Sequence, residues 1–293
     1  MNSKNFKIAI ASGKGGTGKT TVAVNLAHYL AHDRQQQVLL VDCDVEEPND
    51  ALFFADAQLT ATVPVLLPVP EIDTQKCTFC RACVDYCAFN AITVIPPLRH
   101  AEVSPELCHS CGACLYACRD GAITEKDLHI GTINTFRLGN DLQLLEGRLN
   151  VGLATQTPLI RQLTGKAKTS LGTIIYDAPP GTSCSVVATL AGADFVLLVT
   201  EPTPFGLHDL KLAVELVRSM DKDFAVVINK SDKGFGEMQQ YLSEEALPVF
   251  VTIPFDREIA RQYSGSRLLI ESIEGYKRHY SEMAGKIFET TTV

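Results

Sequence analysis

The fold is decided by the stretch Ser12-Gly13-Lys14-Gly15-Gly16-Thr17-Gly18-Lys19-Thr20-Thr21, which follows an apolar run and precedes a helical pattern. A strand, a glycine-rich loop and a helix in this order form a phosphate-binding loop, because glycines allow left-handed backbone and the helix directs its positive end at the phosphates. The loop matches the GxxxxGK[ST] pattern, which predicts that Lys19 contacts the β/γ-phosphates and that the Thr20 hydroxyl binds Mg²⁺. The nucleotide-binding residues predicted in this loop are Gly13, Gly15, Gly16, Thr17, Gly18, Lys19, Thr20 and Thr21.

The composition indicates a globular protein and excludes several classes of function. The 293-residue chain is 46% hydrophobic, which is ample for a packed core. Its net charge of −8 argues against general nucleic-acid binding, which needs a basic face. No run of about 18 apolar residues is present, and Met1 to Lys7 is too polar for a signal peptide. The stripe Tyr276, Tyr280, Met283 and Ile287 is typical of a core-facing helix rather than a membrane anchor. The sequence therefore predicts a cytoplasmic protein without nucleic-acid or membrane partners.

Two further apolar runs end in acidic residues. Gln37 to Val41 leads into Asp42-Cys43-Asp44, and Thr173 to Tyr176 leads into Asp177-Ala178-Pro179-Pro180-Gly181-Thr182. Because the carboxyl ends of parallel strands face the ligand crevice, these acids are expected beside the phosphate-binding loop. Asp177 occupies the Walker B position, which holds Mg²⁺ through water, and the N–H of Gly181 is expected to turn toward the γ-phosphate. Asp44 also has the alternative role of a cap.

The remaining pattern completes a doubly wound α/β domain of mostly parallel strands, interrupted by an inserted module. Thr62 to Glu71 carries three prolines and is predicted to be an extended connector into that module. We expect residues 1–68 and 131–293 to form the P-loop domain and residues 69–130 to form the insert. Beyond the insert, the pattern predicts a helix for Thr157 to Lys168 and strands for Leu149 to Ala154, Phe195 to Val199, Phe224 to Ile228 and Val249 to Ile253.

Eight of the ten cysteines lie in two blocks of identical spacing. The first block is Cys77-x2-Cys80-x2-Cys83-x3-Cys87, and the second, 31 residues later, is Cys108-x2-Cys111-x2-Cys114-x3-Cys118. Because disulfides are rare in the cytoplasm, thiolate ligation of a metal is the first interpretation. The repeat marks the insert as an internal duplication.

The spacing favours two 4Fe-4S clusters. Three thiolates at two-residue intervals can reach three irons of one cubane, while the fourth cysteine points to the other half of the module. Cluster one would be ligated by Cys77, Cys80, Cys83 and Cys118, and cluster two by Cys108, Cys111, Cys114 and Cys87. The module resembles a bacterial two-cluster ferredoxin of α+β fold, although Ala88 and Arg119 stand where that family usually has proline. Zinc is the competing metal, since structural zinc sites also contain CxxC pairs.

The loop sequence KGGTGKT resembles the deviant Walker A motif of the MinD/ParA/Mrp class of P-loop ATPases, to which the nitrogenase iron protein belongs. In that class the extra lysine, here Lys14, reaches the nucleotide of a second subunit, so the resemblance implies an ATP-sandwich homodimer with Lys14 and Lys19 in the catalytic site. It also implies that Asp44 orients the attacking water and that Asp42 supports the Mg²⁺ shell. Cys184 matches a cysteine that helps to bridge a cluster between two subunits of the nitrogenase iron protein, but the second ligand of that arrangement has no counterpart.

The string Asn229-Lys230-Ser231-Asp232 follows a predicted strand and is expected to read the nucleotide base. We assign Asn229 and Lys230 to the nucleotide site, because the resembled class uses this asparagine to contact ATP. The string also fits the NKxD guanine motif of GTPases. We favour ATP because the phosphate-binding loop and the Asp177-Ala178-Pro179-Pro180-Gly181-Thr182 string, which is similar to the switch II of the Mrp and MinD ATPases, both resemble an ATPase class. Pro254-Phe255-Asp256, after the last strand, is expected to close over the base.

Three functions are compatible with these motifs. The first is an ATPase that couples nucleotide-driven dimer closure to electron transfer through its two clusters, serving an unidentified redox or metal-cofactor protein. The second is an Mrp-type carrier or assembly ATPase that hands clusters on. The third is a MinD-like spatial organiser whose ferredoxin module only docks a partner. Eight ligands in two complete sites favour retained, redox-active clusters, and the carboxy-terminal CxxC of the Mrp type is absent.

Overall fold

A nine-stranded sheet organises the part of the chain that the structure describes. The computed structural model describes residues 5–153, 155–168, 172–232 and 235–290. Its strands are β1 (Phe6–Ala11), β2 (Val38–Asp42), β3 (Gln58–Ile72), β4 (Ile92–Ile95), β5 (His100–Val103), β6 (Ile123–Arg137), β7 (Leu142–Leu149), β8 (Thr173–Asp177), β9 (Phe195–Thr200), β10 (Asp223–Ser231) and β11 (Val249–Pro254). Its α-helices are α1 (Lys19–His32), α2 (Ala82–Asp85), α3 (Ala113–Ala117), α4 (Gln156–Ala167), α5 (Cys184–Leu190), α6 (Pro204–Ser219), α7 (Gly236–Glu244), α8 (Arg257–Ser264), α9 (Leu269–Ser272) and α10 (Lys277–Thr290).

The large sheet has the strand order β11-β10-β9-β1-β8-β2-β7-β6-β3. The pairs from β11 across to β7 are all parallel, and β4 and β5 form a separate antiparallel pair. The register sets Asp42 at the end of β2 opposite Asp177 at the end of β8, and Ile10 of β1 is also opposite Asp177. The mostly parallel α/β class is therefore confirmed, and the loop after β1 lies at the same sheet edge as both acidic strand ends.

The central strands are buried along their length, which explains why they appear in the sequence as continuous apolar runs. Every residue of β2, β8 and β9 is buried. The predicted core-facing stripe of α10 is also confirmed, since Tyr280, Met283 and Ile287 are fully buried in the same core as β1 and α1. Within the described ranges, no helix has the length and apolar character needed to cross a membrane.

The predicted connector Thr62 to Glu71 is extended, but it forms part of a 15-residue strand, β3. This strand lies at the edge of the large sheet. An edge strand tolerates prolines because one of its sides has no neighbour that needs their missing N–H groups. The prolines therefore exclude a central strand, as expected, but they do not prevent pairing along one side.

The predicted strand Leu149 to Ala154 is wrong. Strand β7 ends at Leu149, residues 151–152 form a turn in which Gly152 has a φ of 89°, and Ala154 lies outside the described residues. The Asn150 amide donates to the carbonyl of His129 at 2.8 Å, which stabilises this turn. The strand itself was missed because Glu146 interrupts its apolar run, although this glutamate is buried and is paired with Arg148 and Asn134.

The chain divides into two compact units with separate cores. One comprises Met1–Val63, Ile133–Arg148 and Ile160–Val293, and the other comprises Pro64–Thr132 and Leu149–Leu159. The first unit has a large core formed by the sheet and by α1 and α10. The second unit has a small core in which Phe79, Ile92 and Ile123 pack with the cysteines. The apolar core of the second unit is therefore much smaller than that of the first.

Candidate functional site

The loop between β1 and α1 adopts a conformation that depends on its glycines. Gly16 and Gly18 have φ values of 76° and 98°, in the left-handed region that favours glycine. A Cβ on Gly13 would lie 2.2 Å from the carbonyl oxygen of Asp209, so this position has no room for a side chain. Helix α1 begins at Lys19, directly after Gly18. The first N–H groups of a buried helix therefore point toward the loop, as anion binding requires.

Lys19 is buried at the start of α1 and lies near two carboxylates. Burial lowers the pKa of its ammonium group, while the negative charges of Asp177 and Asp44 act in the opposite direction. Only 7% of the residue is exposed. The long side chain is thus held in one environment, where its charge interacts with acids and is available to phosphate oxygens.

Asp177 and Thr20 are in direct contact, since the Thr20 hydroxyl donates to Asp177 Oδ2 at 2.6 Å. Burial raises the pKa of Asp177 to about 6, against the lowering effects of Lys19 and Thr20. The second oxygen, Oδ1, is buried, and no N–H or side-chain hydroxyl of the described residues donates to it. The structure therefore brings together the two side chains predicted to hold Mg²⁺, and it leaves one carboxylate oxygen available.

The Asp42 carboxylate holds the loop that follows β2. Its oxygens accept from the backbone N–H groups of Asp44, Asn49 and Asp50, at 3.1, 2.8 and 3.0 Å. Burial raises the pKa of Asp42 well above its usual range, and the nearby Asp177 raises it further. Asp44 is only partly buried and lies near Lys19. Asp42 thus shapes the loop, and Asp44 remains the more accessible of the two.

Asp50 is an acidic residue of this site that the sequence reasoning missed. It is fully buried at the start of the short 3-10 helix Asp50–Phe53. Neither of its carboxylate oxygens accepts a hydrogen bond from the described residues. In the sequence, it follows Pro48 and Asn49 and therefore looks like an ordinary turn residue.

A cavity of about 250 Å³ lies beside the glycine-rich loop. It is lined by Gly16, Gly18, Thr21, Asn229, Lys230, Pro254, Phe255, Asp256, Ile259, Ala260 and Tyr263. The aromatic rings provide stacking surfaces for a planar base. Asp232, the guanine-reading position of the NKxD alternative, is not among the lining residues.

Asn229 connects this cavity to the phosphate-binding loop. Its Nδ2 donates to the carbonyl of Thr17 at 2.8 Å, and its Oδ1 accepts from the N–H of Lys230 at 2.9 Å. The ammonium of Lys230 donates to the carbonyl of Gly16 at 2.5 Å. Asn229 and Lys230 therefore brace the loop from its open side.

We expect Asn229→Ala to weaken nucleotide affinity about tenfold, because the Thr17 carbonyl loses its buried donor and the loop its brace. Isothermal calorimetry with nucleotide measures the effect. Asn25→Ala is a matched control, since Asn25 is equally buried and bonds the backbone of Thr21 and Ile270. The control should lose stability yet bind nucleotide normally. Equal affinity losses in both variants would contradict a specific brace.

Lys14 and Gly181, two further residues that were predicted to contact the nucleotide, each have a partner within their own chain. The ammonium of Lys14 forms an ion pair with Glu201, whose other oxygen lies 3.5 Å from Lys230. The N–H of Gly181 donates to the carbonyl of Ser12 at 3.1 Å. The N–H of Gly181 could contact a γ-phosphate only after its hydrogen bond to Ser12 is broken. Lys14 could contact a second subunit only after its ion pair with Glu201 is broken.

The cysteine blocks line two separate pockets in the second unit. One pocket is lined by Cys77, Cys80, Cys83 and Cys118, and the other by Cys87, Cys108, Cys111 and Cys114. Each block thus contributes three cysteines to one pocket and its fourth to the other. These are the two sets that the spacing predicts.

The duplication extends to the backbone of the two blocks. Phe79, Arg81 and Asn90 have left-handed φ values, and the corresponding Ser110, Gly112 and Gly121 have them too. Left-handed backbone at non-glycine residues is unusual and persists where surrounding structure requires it. The shared turns also direct N–H groups at the sulfurs, with donor to sulfur distances of 3.3 to 3.4 Å at Cys77, Cys87, Cys108 and Cys118.

The surroundings of the pockets are apolar and aromatic. Burial raises the pKa of the Cys114 thiol to about 11, and burial also raises the pKa of the Cys83 thiol. Such thiols lose their protons at neutral pH only when a cation replaces them. His109 stacks on Phe89 with ring centroids 3.8 Å apart and lines the second pocket with it.

Among the described residues, no three His, Cys, Asp or Glu side chains converge tightly enough to hold a single metal ion. Cys184 is exposed at the start of α5.

The sheet, the glycine-rich loop after its strand β1 and the acidic ends of β2 and β8 together define a P-loop nucleotide-binding protein. Residues 8–269 match the CobQ/CobB/MinD/ParA nucleotide binding domain, and the chain belongs to this family.

Two relatives and one solved structure that are similar to this chain carry different names. The uncharacterized protein MJ0578 of Methanocaldococcus jannaschii is 29% identical over 287 residues, which cover 97% of each chain. An iron-sulfur cluster carrier protein of Pyrococcus horikoshii is 26% identical over 302 residues, which cover 96% of this chain and 85% of the relative. The solved structure of the cell division ATPase MinD from Pyrococcus furiosus has a TM-score of 0.60 and 20% identity, covering 98% of this chain and all of that one. That similarity shows the fold alone.

Proposed function

We propose that this protein is an ATP-hydrolysing iron–sulfur protein that couples nucleotide-driven dimer switching to electron transfer through two 4Fe-4S clusters. The observation that carries the proposal is the pair of four-cysteine pockets in a chain of the MinD/ParA nucleotide-binding family. We place the functional insert at residues 69–130. An unidentified redox or metal-cofactor protein is the proposed partner.

The cysteine sets fit 4Fe-4S clusters by number and by surroundings. Each pocket offers four sulfurs, which is the number that such a cluster needs. Bound clusters would supply one-electron transfer. The chain contributes the thiolates, the backbone N–H groups that stabilise charge on the sulfurs, and an apolar wall including Phe79 and Ile92 that limits water. Cys80 and Cys111 are exposed, which leaves each cluster a short route to a partner.

The nucleotide site fits a Mg²⁺-bound triphosphate. Thr20 would hold the ion directly and Asp177 would hold it through water, with Asp42 in the surrounding shell, and Lys19 would bind the β/γ-phosphates. The free Asp177 oxygen and the buried Lys19 ammonium are the observations that support this assignment. Asp44 would orient the attacking water, because it lies near Lys19 and is only partly buried.

Dimerisation is proposed because the family resemblance assigns Lys14 to the nucleotide of a second subunit. In the single chain, Lys14 is bound to Glu201 and is partly exposed, with 30% of its side chain accessible. A lysine at the surface of the loop can exchange one anionic partner for another at little cost. Each chain of the dimer would then supply Lys14 to the site of the other.

A cluster carrier is the second candidate, and the relative named iron-sulfur cluster carrier protein supports it. Four cysteines per pocket complete the ligand set of a 4Fe-4S cluster, which favours clusters that are retained. A MinD-like organiser is the third candidate, in which the second unit only docks a partner.

Anaerobic purification followed by iron, sulfide and nucleotide analysis tests the proposal. We expect about eight irons and eight sulfides per chain and a preference for ATP over GTP in calorimetry. Two zinc ions per chain after anaerobic preparation would contradict it. Incubation with an apo-ferredoxin acceptor then separates the candidates, since a carrier loses iron to the acceptor and an electron-transfer protein does not. If neither reduction nor removal of the clusters changes ATP binding, hydrolysis or dimerisation, the result would favour the MinD-like spatial organiser.

A further inference from the structure

Asp50 is a fully buried acid, and no N–H or side-chain hydroxyl of the described residues donates to its carboxylate. Its backbone N–H donates to Asp42 Oδ2, which fixes the residue next to the end of β2. Its side chain faces that of Asp177, whose Oδ1 also has no donor among the described residues. These oxygens face only the other acid, so the pair is compensated only if the two carboxyls share a proton or a cation lies beside them. Burial of such groups is costly unless a cation or a donor compensates.

The charges around Asp50 are negative. Burial raises the pKa of its carboxyl well above its usual range, and the charges of Asp42, Asp177 and Glu146 raise it further. The ammonium of Lys19 influences Asp177 and Asp44, but it is not among the groups that act on Asp50. Three buried acidic groups, Asp42, Asp50 and Asp177, therefore lie together at this sheet edge, and Lys19 is the cation that acts on one of them, Asp177.

We propose that Asp50 is a positioning residue for the divalent cation that accompanies the nucleotide. The inference rests on the nucleotide-binding function proposed above. Since the described acids do not converge on one ion directly, we assign the ion to the nucleotide and Thr20, with Asp50 and Asp177 acting on its hydration shell. Mg²⁺ keeps several of its waters in proteins, and carboxylates near such waters tune the affinity of the site.

The test is an electron paramagnetic resonance titration of Mn²⁺ into the ADP-bound full-length protein, comparing wild type with Asp50→Asn. We expect the dissociation constant for Mn²⁺ to rise 10- to 100-fold, the usual effect of losing a group that supports metal ligands. ADP affinity in EDTA should change less than twofold. Asp56→Asn is the matched control, because Asp56 is exposed on the same segment.

A second measurement distinguishes a purely structural role. Removing an unpaired buried acid should raise the unfolding temperature of the apo protein in Asp50→Asn and Asp50→Leu, while the added stabilisation by Mg²⁺ with ADP should shrink. A lower apo unfolding temperature with unchanged Mn²⁺ affinity overturns the inference, as does failure of both variants to fold when Asp56→Asn folds. A wild type that binds no ADP with Mn²⁺ would instead overturn the proposed function.

Discussion

Replacing Lys19 with alanine is expected to weaken ATP binding about a hundredfold, which is the effect of losing one or two charge-assisted hydrogen bonds to phosphate. Lys19 is buried at the first position of α1, where its charge interacts with those of Asp177 and Asp44. Calorimetry with a non-hydrolysable ATP analogue measures the loss. Lys211→Ala, an exposed change on α6, is the control and should bind normally.

Lys14→Ala is expected to behave differently from Lys19→Ala. Lys14 forms an ion pair with Glu201, whereas Lys19 lies near Asp177 and Asp44. Lys14→Ala should bind ATP within about threefold of wild type but lose ATP-dependent dimerisation and hydrolysis, which light scattering and phosphate release measure. Equal losses of binding in the Lys14 and Lys19 variants would show that Lys14 is only part of the local loop.

The Glu201 carboxylate provides a control for this interpretation. In Lys14→Ala, Glu201 loses one of its two cationic partners, and the unpaired charge could itself disturb the loop. The double variant Lys14→Ala/Glu201→Gln removes that charge. We expect it to remain monomeric, whereas recovery of dimerisation would assign the defect to Glu201.

Cys77→Ser and Cys108→Ser are each expected to reduce bound iron from about eight to about four per chain, because the two cysteines line different pockets. Electron paramagnetic resonance of the reduced wild type should show two interacting centres, and each variant should lose the interaction. Nucleotide affinity should stay within twofold, since the P-loop residues belong to the other unit.

Cys184→Ser is the matched control for these variants, because Cys184 is exposed and lies outside both pockets. It should retain both clusters. Loss of all iron in Cys77→Ser and Cys108→Ser alike would indicate that the clusters depend on each other for folding. Loss of iron in Cys184→Ser would instead favour the bridging arrangement of the nitrogenase iron protein.

Much of the fold could be predicted because its signals are local. The runs that became β2, β8 and β9 are mostly apolar, since these central parallel strands are buried along their whole length. Strand β7 could not be predicted in this way, because a charged residue interrupts its apolar run. Its Glu146 is buried only because Arg148 and Asn134 compensate it, and such compensation has no signal in a short window of sequence.

The sequence by itself determined the phosphate-binding loop, the acidic strand ends and the two four-cysteine sets. Each depends on the spacing of residues within one short segment or on an exact repeat of such a segment. Only the tertiary structure decided that the fully buried Asp50 faces Asp177 and that Lys14 pairs with Glu201, 187 residues away. These features depend on which strands become neighbours in the sheet and on which side chains lose contact with water. Both are set by the packing of the whole sheet rather than by any local pattern.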